Sequence, residues 1–407
     1  MGSPALASTY KLARSLWPQK SIYDLLLAQQ VVLSDLPKDT SFYEAVRYIA
    51  VGYSAPQGIG PNFTTAKANK TASKAQEFQL STYIYYALFS IEGRLMRRAK
   101  SDKALIVKPL ARETKNALTQ WRRDVTAFMH GNGGGAIGQI ASAGVSGATI
   151  TLADITKIRF FDIGMKLNTA TTDGTSGTVN PGSVTVSKVN RRTGVITVAE
   201  ASVVTGIPAA AAADYIFRDG VFGNVTDGFE SWVPATDPTA TLFKAVDRSV
   251  DTEGLGGIRL DVSAKTPFNG AMALAGAVHD AGGSPDRYIV STTDWQNLRA
   301  ELSSAGSLTY TQIPSAPIGK FVPGMKYTAI EIMGPSGPIA VLPDPDAPTS
   351  VGRVHTRETW VLGSMGELVS MIDETMMEDA ADSFESRFVG DIELYCEAPK
   401  YNARGAL

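Results

Sequence analysis

A chain of 407 residues with one cysteine and three histidines is short of the side chains on which most enzymes and metal proteins depend. The lone Cys396 excludes an intrachain disulfide and any multi-cysteine metal site, and it fits a reducing compartment. His130, His279 and His355 lie far apart on unlike segments, which suits caps and surface or half-buried positions better than a ligand set or a triad. No H-E-x-x-H, C-x-x-C, G-x-S-x-G or Walker-type glycine loop occurs. No apolar run approaches the roughly 18 residues of a membrane helix. The opening "MGSPALASTYKLARSLWPQK" lacks the basic-then-apolar order of a secretory signal, and Leu6 stands where myristoylation needs Ser or Thr. Charge of one sign is missing too. With 38 Lys and Arg against 40 Asp and Glu, the net charge of −2 provides no surface-wide field for gripping nucleic acid.

What is present describes a globular protein: 44% hydrophobic residues and enough length for two or three domains. Ile22, Leu25, Leu26, Val32 and Leu33 have helical spacing within Ser21 to Leu33, and Pro37 limits that helix. Residues 1–47 carry too little apolar content for a core of their own and read as an arm. Residues 48–90 then read as a long hairpin. In its return limb Phe78, Leu80, Thr82, Ile84 and Tyr86 alternate with Glu77, Gln79, Ser81, Tyr83 and Tyr85, which is the period of a strand. Its middle holds Pro56, Gly58, Gly60 and Pro61, then Lys67, Lys70 and Lys74. A two-stranded excursion is marginal alone in water, and the neighbouring sequence offers nothing for it to lie on. A second subunit is the economical support, with Lys67, Lys70, Lys74, Phe78, Leu80 and Ile84 as the expected intersubunit contacts.

From Pro109 to His130 the period becomes helical. Leu110, Thr114, Ala117, Leu118, Trp121, Val125, Phe128 and Met129 form one stripe, and most charges lie off it. Pro109 suits the first turn, and Gly131 suits a left-handed stop. The next residues, "HGNGGGAIG", place Gly133, Gly135 and Gly138 in a G-x-G-x-x-G spacing. A phosphate cradle of that kind needs a strand before it and a helix after it; here a helix comes first. A helix stop and domain junction explains the glycines better than a nucleotide-binding enzyme does. No cofactor is expected.

Residues 140–222 change character. "GATITL", "GSVTVSKV", "GVITVAE" and "DYIFRDG" read as short strands, "NRRTG" as a hairpin turn, and the whole as an inserted all-β barrel or sandwich. Beyond it, "TPFNGAMALAGAVHDAGG" reads as a helix with Thr266 as N-cap and Pro267 first. "RYIVSTTDWQNLRAEL" reads as a strand and a helix capped by Thr293. "GPIAVLPDPDAP" is a strand ended by prolines, and "GDIELYCEA" reads as the last strand. Helices and strands mix without a βαβ repeat, so the class is α+β. The acidic group Asp373, Glu374, Glu378, Asp379, Asp382 and Glu385 lacks the spacing and turn glycine of a calcium loop, and no metal site is expected.

The order of these pieces resembles the major capsid proteins of tailed bacteriophages, which share the Hong Kong 97-type coat-protein fold. "FMHGNGGGAIG" resembles the glycine stop after that family's spine helix, "GGSPDRYIVSTTDWQNLRAEL" its axial strand–helix unit, and "AVLPDPDAP" with "GDIELYCEAPKYNARGAL" its late strands. The resemblance covers about 1–139 and 223–407, and the β insertion at 140–222 departs from it. It implies an N-terminal arm (1–47), an extended loop (48–90), a peripheral domain with the spine helix (91–139 and 346–390), an axial domain (223–345) and a return to it (391–407). The implied function is mechanical: pentamers and hexamers forming an icosahedral shell around double-stranded DNA, without enzymatic activity. The implied partners are other copies, scaffolding, portal and decoration proteins, and no membrane. The implied locations are the virion and, during assembly, the host cytoplasm. An encapsulin-type nanocompartment shell would share the fold. Some relatives of the capsid family join a loop lysine to a neighbour's asparagine, but no asparagine or glutamate here matches residue by residue.

Overall fold

The strand alternation that begins at Glu77 is realised in two pieces belonging to different sheets. The computed structural model describes residues 31–92, 104–304, 330–371, 376–377 and 383–407. Most of the arm and the acidic residues Asp373, Glu374, Glu378, Asp379 and Asp382 lie outside these residues. The described residues open with a short helix α1 (Val31–Asp35) and strand β1 (Lys38–Asp39). Strands β2 (Arg47–Ser54) and β3 (Lys74–Leu80) pair antiparallel as an isolated two-stranded sheet, with helix α2 (Phe63–Ala68) at the tip. The chain breaks at Ser81 and Thr82, and β4 (Tyr83–Glu92) joins another sheet. Phe78 and Leu80 therefore face inward, whereas Ile84 and Tyr86 face solvent. Period-two alternation runs unchanged through the break, so the sequence alone cannot show that the inward face has switched.

The long helix α3 (Ala104–Met129) begins five residues before the expected start, so Pro109 lies in its second turn. There it lies past the first turn, whose N–H groups have no helical partner, and it removes one backbone hydrogen bond. Leu118, Trp121, Val125, Phe128 and Met129 of the expected stripe are buried. Gly131 does not take the left-handed conformation; Gly133 (φ +81°) and Gly135 (φ +86°) do.

Two compact units emerge: Arg123–Trp232, and the remainder of the chain. The first contains a closed six-stranded barrel of β5 (Ala136–Ser146), β6 (Thr149–Leu152), β7 (Lys166–Ala170), β8 (Val184–Asn190), β9 (Val195–Val198) and β10 (Tyr215–Arg218). The strands close in the order β10-β5-β6-β9-β8-β7, which removes every sheet edge. Ile150, Leu167, Ile196 and Ile216 are wholly buried, and so is Phe217, where the register of β10 against β5 shifts. Arg191 bridges Asp162 at 2.7 Å, and Arg123 bridges the same carboxylate.

The second unit holds a mixed sheet in the order β11-β20-β15-β12-β14-β13. Its strands are β11 (Ile258–Asp261), β12 (Arg287–Val290), β13 (Ile330–Gly334), β14 (Gly337–Pro343), β15 (Val351–His355) and β20 (Asn402–Ala406). Leu274, Ala275 and Val278 of a helix over Pro267–Asp280 share a core with Tyr288, Val290, Val341 and Val354 of this sheet. Thr266 caps that helix as expected. The helix over Thr292–Ser304 is capped by Ser291, not Thr293: the Asp294 N–H donates to Ser291 Oγ (3.1 Å), and that hydroxyl donates back to Asp294 Oδ2 (2.6 Å). A reciprocal pair of this kind one residue before the helix outcompetes a threonine already inside it. The other sheet contains β16 (Trp360–Ser364), β17 (Ser370–Met371), β18 (Met376–Met377) and β19 (Ser383–Cys396), with β1 and β4. The stretch "GDIELYCEA" is thus the end of β19 in this sheet, and β20 is the last strand. Both stretches alternate, but Pro399 forces a turn between them.

Candidate assembly surface

The hairpin of β2 and β3 is the element that the sequence marks for contact with a neighbour, and its base and tip behave differently. At the base, Ile49 pairs with Phe78 and Arg47 with Leu80. Val51, Phe78 and Leu80 are buried within the chain itself. Phe78 meets Phe243 edge-on, with ring centroids 6.2 Å apart, and the Gln79 N–H donates to the Lys244 carbonyl (3.0 Å). The Arg248 guanidinium lies 4.1 Å from the centre of the Phe243 ring. The support that the neighbouring sequence lacks is therefore found elsewhere in the same chain, and Phe78 and Leu80, expected at a contact with another subunit, are buried within their own. Their support comes from a turn that begins at Phe243, 165 positions after Phe78, which no local pattern reveals.

That turn is tight. Phe243 and Val246 exchange backbone hydrogen bonds of 2.9 Å, and the two residues between them, Lys244 and Ala245, have φ of +50° and +67°. Left-handed backbone at two non-glycine residues costs about 1–2 kcal/mol each. The conformation drives the Lys244 side chain inward, where its Nζ lies 2.8 Å from Glu393 Oε1 of β19 and 5.5 Å from the centre of the Tyr83 ring. At the start of β2, Arg47 pairs with Asp39 and Glu44 and stacks over Phe42 (4.4 Å). Hydrogen bonds from Ser41 first, then the Arg47 contact, hold the Asp39 carboxyl down at about 2.

The tip is built from local hydrogen bonds and exposes what it carries. The Asn62 side chain caps α2 by accepting from the Thr65 N–H (2.9 Å), the Asn69 amide donates to the Ile59 carbonyl (3.0 Å), and the Gln57 N–H donates to Thr71 Oγ1 (3.2 Å). Ile59 is 78% and Phe63 81% exposed. Lys67, Lys70 and Lys74 are all exposed, on α2, just after it, and at the first residue of β3. Ile84 is exposed too but lies on β4, outside the hairpin. Hydrophobic periodicity does not mark Ile59 or Phe63, because neither has a periodic partner. Their signal is that lack: large apolar side chains isolated in a polar, Gly- and Pro-rich stretch.

The glycine stretch has no room for a phosphate. Gly133 to Gly135 lie between the end of α3 and the start of β5, the reverse of the strand–loop–helix order. A side chain at Gly134 would collide with the Asp173 carbonyl, and one at Gly133 with the Asp227 carboxylate. The backbone surface that a pyrophosphate would need is covered by the protein's own chain. A cleft of about 170 Å³ beside Lys265, Tyr288, Asp294 and Ser350 has its Asp294 carboxylate already taken by Ser291 and by the Ser350 N–H (3.0 Å). Among the described residues no cluster of His, Cys, Asp or Glu could hold a metal ion, and no helix is long and apolar enough to cross a membrane.

No family model matches the chain, and no curated protein matches it. Solved structures do. The chain is similar to a subunit of the cyanophage A-1(L) capsid at 10% identity and a TM-score of 0.47, covering 92% of each chain. It is similar to the capsid of a native GTA particle at 9% identity and a TM-score of 0.45, over 93% of this chain and 89% of that one. It is also similar to a virus-like particle from Pyrococcus furiosus at 7% identity and a TM-score of 0.40, over 97% of both. At these identities and scores no correspondence of individual residues follows.

Proposed function

We propose that this chain is a shell-forming structural subunit, the major capsid protein of a tailed bacteriophage. The observation that carries the reading is the hairpin tip. An ordered two-stranded sheet holds Ile59 and Phe63 out in water, beside three solvated lysines. Tyr48, on β2 of the same hairpin, is 61% exposed as well. A patch of that kind in one short stretch marks a surface that another chain covers. The covered glycine stretch and the occupied cleft carboxylate leave these sites unsuited to chemistry, which supports a mechanical role.

On this reading the copies assemble as pentamers and hexamers into an icosahedral shell around double-stranded DNA. The domains divide as arm, extended loop, peripheral and axial parts, with the barrel as an insertion. Scaffolding, portal and decoration proteins are the expected partners, and the virion the final location, reached by assembly in the host cytoplasm. A chain with net charge −2 contains DNA without gripping it along its length. Electron microscopy of the purified protein tests the reading: closed particles are expected. Deleting residues 56–73, between the strands of the hairpin, is expected to abolish them while leaving the melting transition cooperative. A monodisperse monomer at high concentration would sink the proposal, and particles filled with protein in place of DNA would favour a nanocompartment.

A further inference from the structure

A second apolar surface lies on β4, away from the hairpin. Ile84, Tyr86 and Leu88 are 54%, 55% and 56% exposed, and residues two apart on a strand share one face. The strand cannot turn to hide them. Its other face carries the buried Phe89, and the Tyr85 carbonyl accepts the Trp121 indole N–H (3.3 Å). On the adjoining β19, Ile84 pairs with Asp391, Tyr86 with Val389 and Leu88 with Arg387. Phe388 and Ile392, of the opposite parity, are wholly buried, so Arg387, Val389 and Asp391 lie on the face of Ile84, Tyr86 and Leu88, each half-buried, with Asp391 Oδ1 covered and without a hydrogen-bond partner.

This face has a polarity. Its centre is apolar, one end carries a cation and the other an anion, about 13 Å apart along the strand. Among the described residues neither Arg387 nor Asp391 takes part in an ion pair. A second copy turned about an axis lying between the two faces and across the strands brings apolar centre onto apolar centre and opposite charges together at both ends. A copy turned about an axis along the strands would instead set arginine on arginine. We infer that Ile84, Tyr86, Leu88 and Val389 form a self-complementary docking face for a second copy of this chain, with Arg387 of each copy against Asp391 of the partner subunit.

The test is cross-linking of the full chain carrying Tyr86→Cys with a short bismaleimide, read on a denaturing gel. Tyr86 faces its own counterpart in this arrangement, and the native Cys396 is buried. A cross-linked dimer is expected. Adding Arg387→Asp or Asp391→Arg to that chain should each cut the yield by about tenfold, because each makes the ends repel, and mixing the two variants should restore it. If either charge variant melts early, Val389→Asp and Val389→Lys replace them: each repels itself across the axis, and the mixture pairs. Absence of the dimer, insensitivity to the charge reversals, or failure of the mixtures to rescue overturns the inference. The result stands apart from shell closure, since closed particles without this cross-link refute only the docking face, and the cross-link without particles refutes only the shell.

Discussion

Lys244 and Glu393, 149 positions apart in sequence, form an ion pair of 2.8 Å with the carboxylate wholly buried and the lysine side chain 9% exposed. Two consecutive residues in left-handed backbone are tolerated to bring them together, at the place where the hairpin meets the body of its unit. Removing one partner strands the other charge in a dry site, which costs far more than the pair gains. Glu393→Gln or Lys244→Met should lower unfolding free energy by about 3–5 kcal/mol in urea titration, whereas Lys244→Met with Glu393→Leu should recover most of the loss. If the double variant is as unstable as the sum of the single ones, the two charges act separately.

Base and tip of the hairpin should separate under mutation. Phe78→Ala removes a wholly buried ring that meets Phe243 edge-on and should cost about 3–5 kcal/mol. Phe63→Ser, at an 81% exposed position, should leave the melting temperature within a degree or two and weaken assembly, as measured by light scattering.

Lys38 gives a pH signature. Burial, and then the Arg357 guanidinium, push its ammonium down to about 8 against the pull of Asp35. The unfolded chain therefore holds this proton up to 10.5 and the folded chain releases it near 8, so the contribution of Lys38 to stability rises with pH between those values and is flat below them. Lys38→Met should be more stable than the parent at pH 7 and lose that advantage by pH 10.5, in paired thermal melts. A constant difference across the window would contradict the assignment.

Closure of the assembly should be non-covalent. Lys67, Lys70 and Lys74 are solvated, whereas an amine that attacks an amide must be neutral in an apolar pocket. Assembled particles boiled in detergent and reductant should run as one band near 43.2 kDa. A ladder of multimers would defeat this expectation.

Much of the chain was legible residue by residue. The stripe from Leu118 to Met129, the barrel strands with their turn at Asn190–Gly194, and the helix opened by Thr266 and Pro267 all depend on periodicity and capping, which act within a few residues. The same signals put the glycines after a helix and so dismissed the nucleotide fingerprint. What tertiary structure alone decided are the choices between equal local options. Whether the alternating run from Glu77 forms one strand or two, and which of its faces turns inward, depends on the Phe243–Val246 turn and on β19, both distant in sequence. Alternation specifies that a strand has two faces; only the partner that it meets determines which of them is dry.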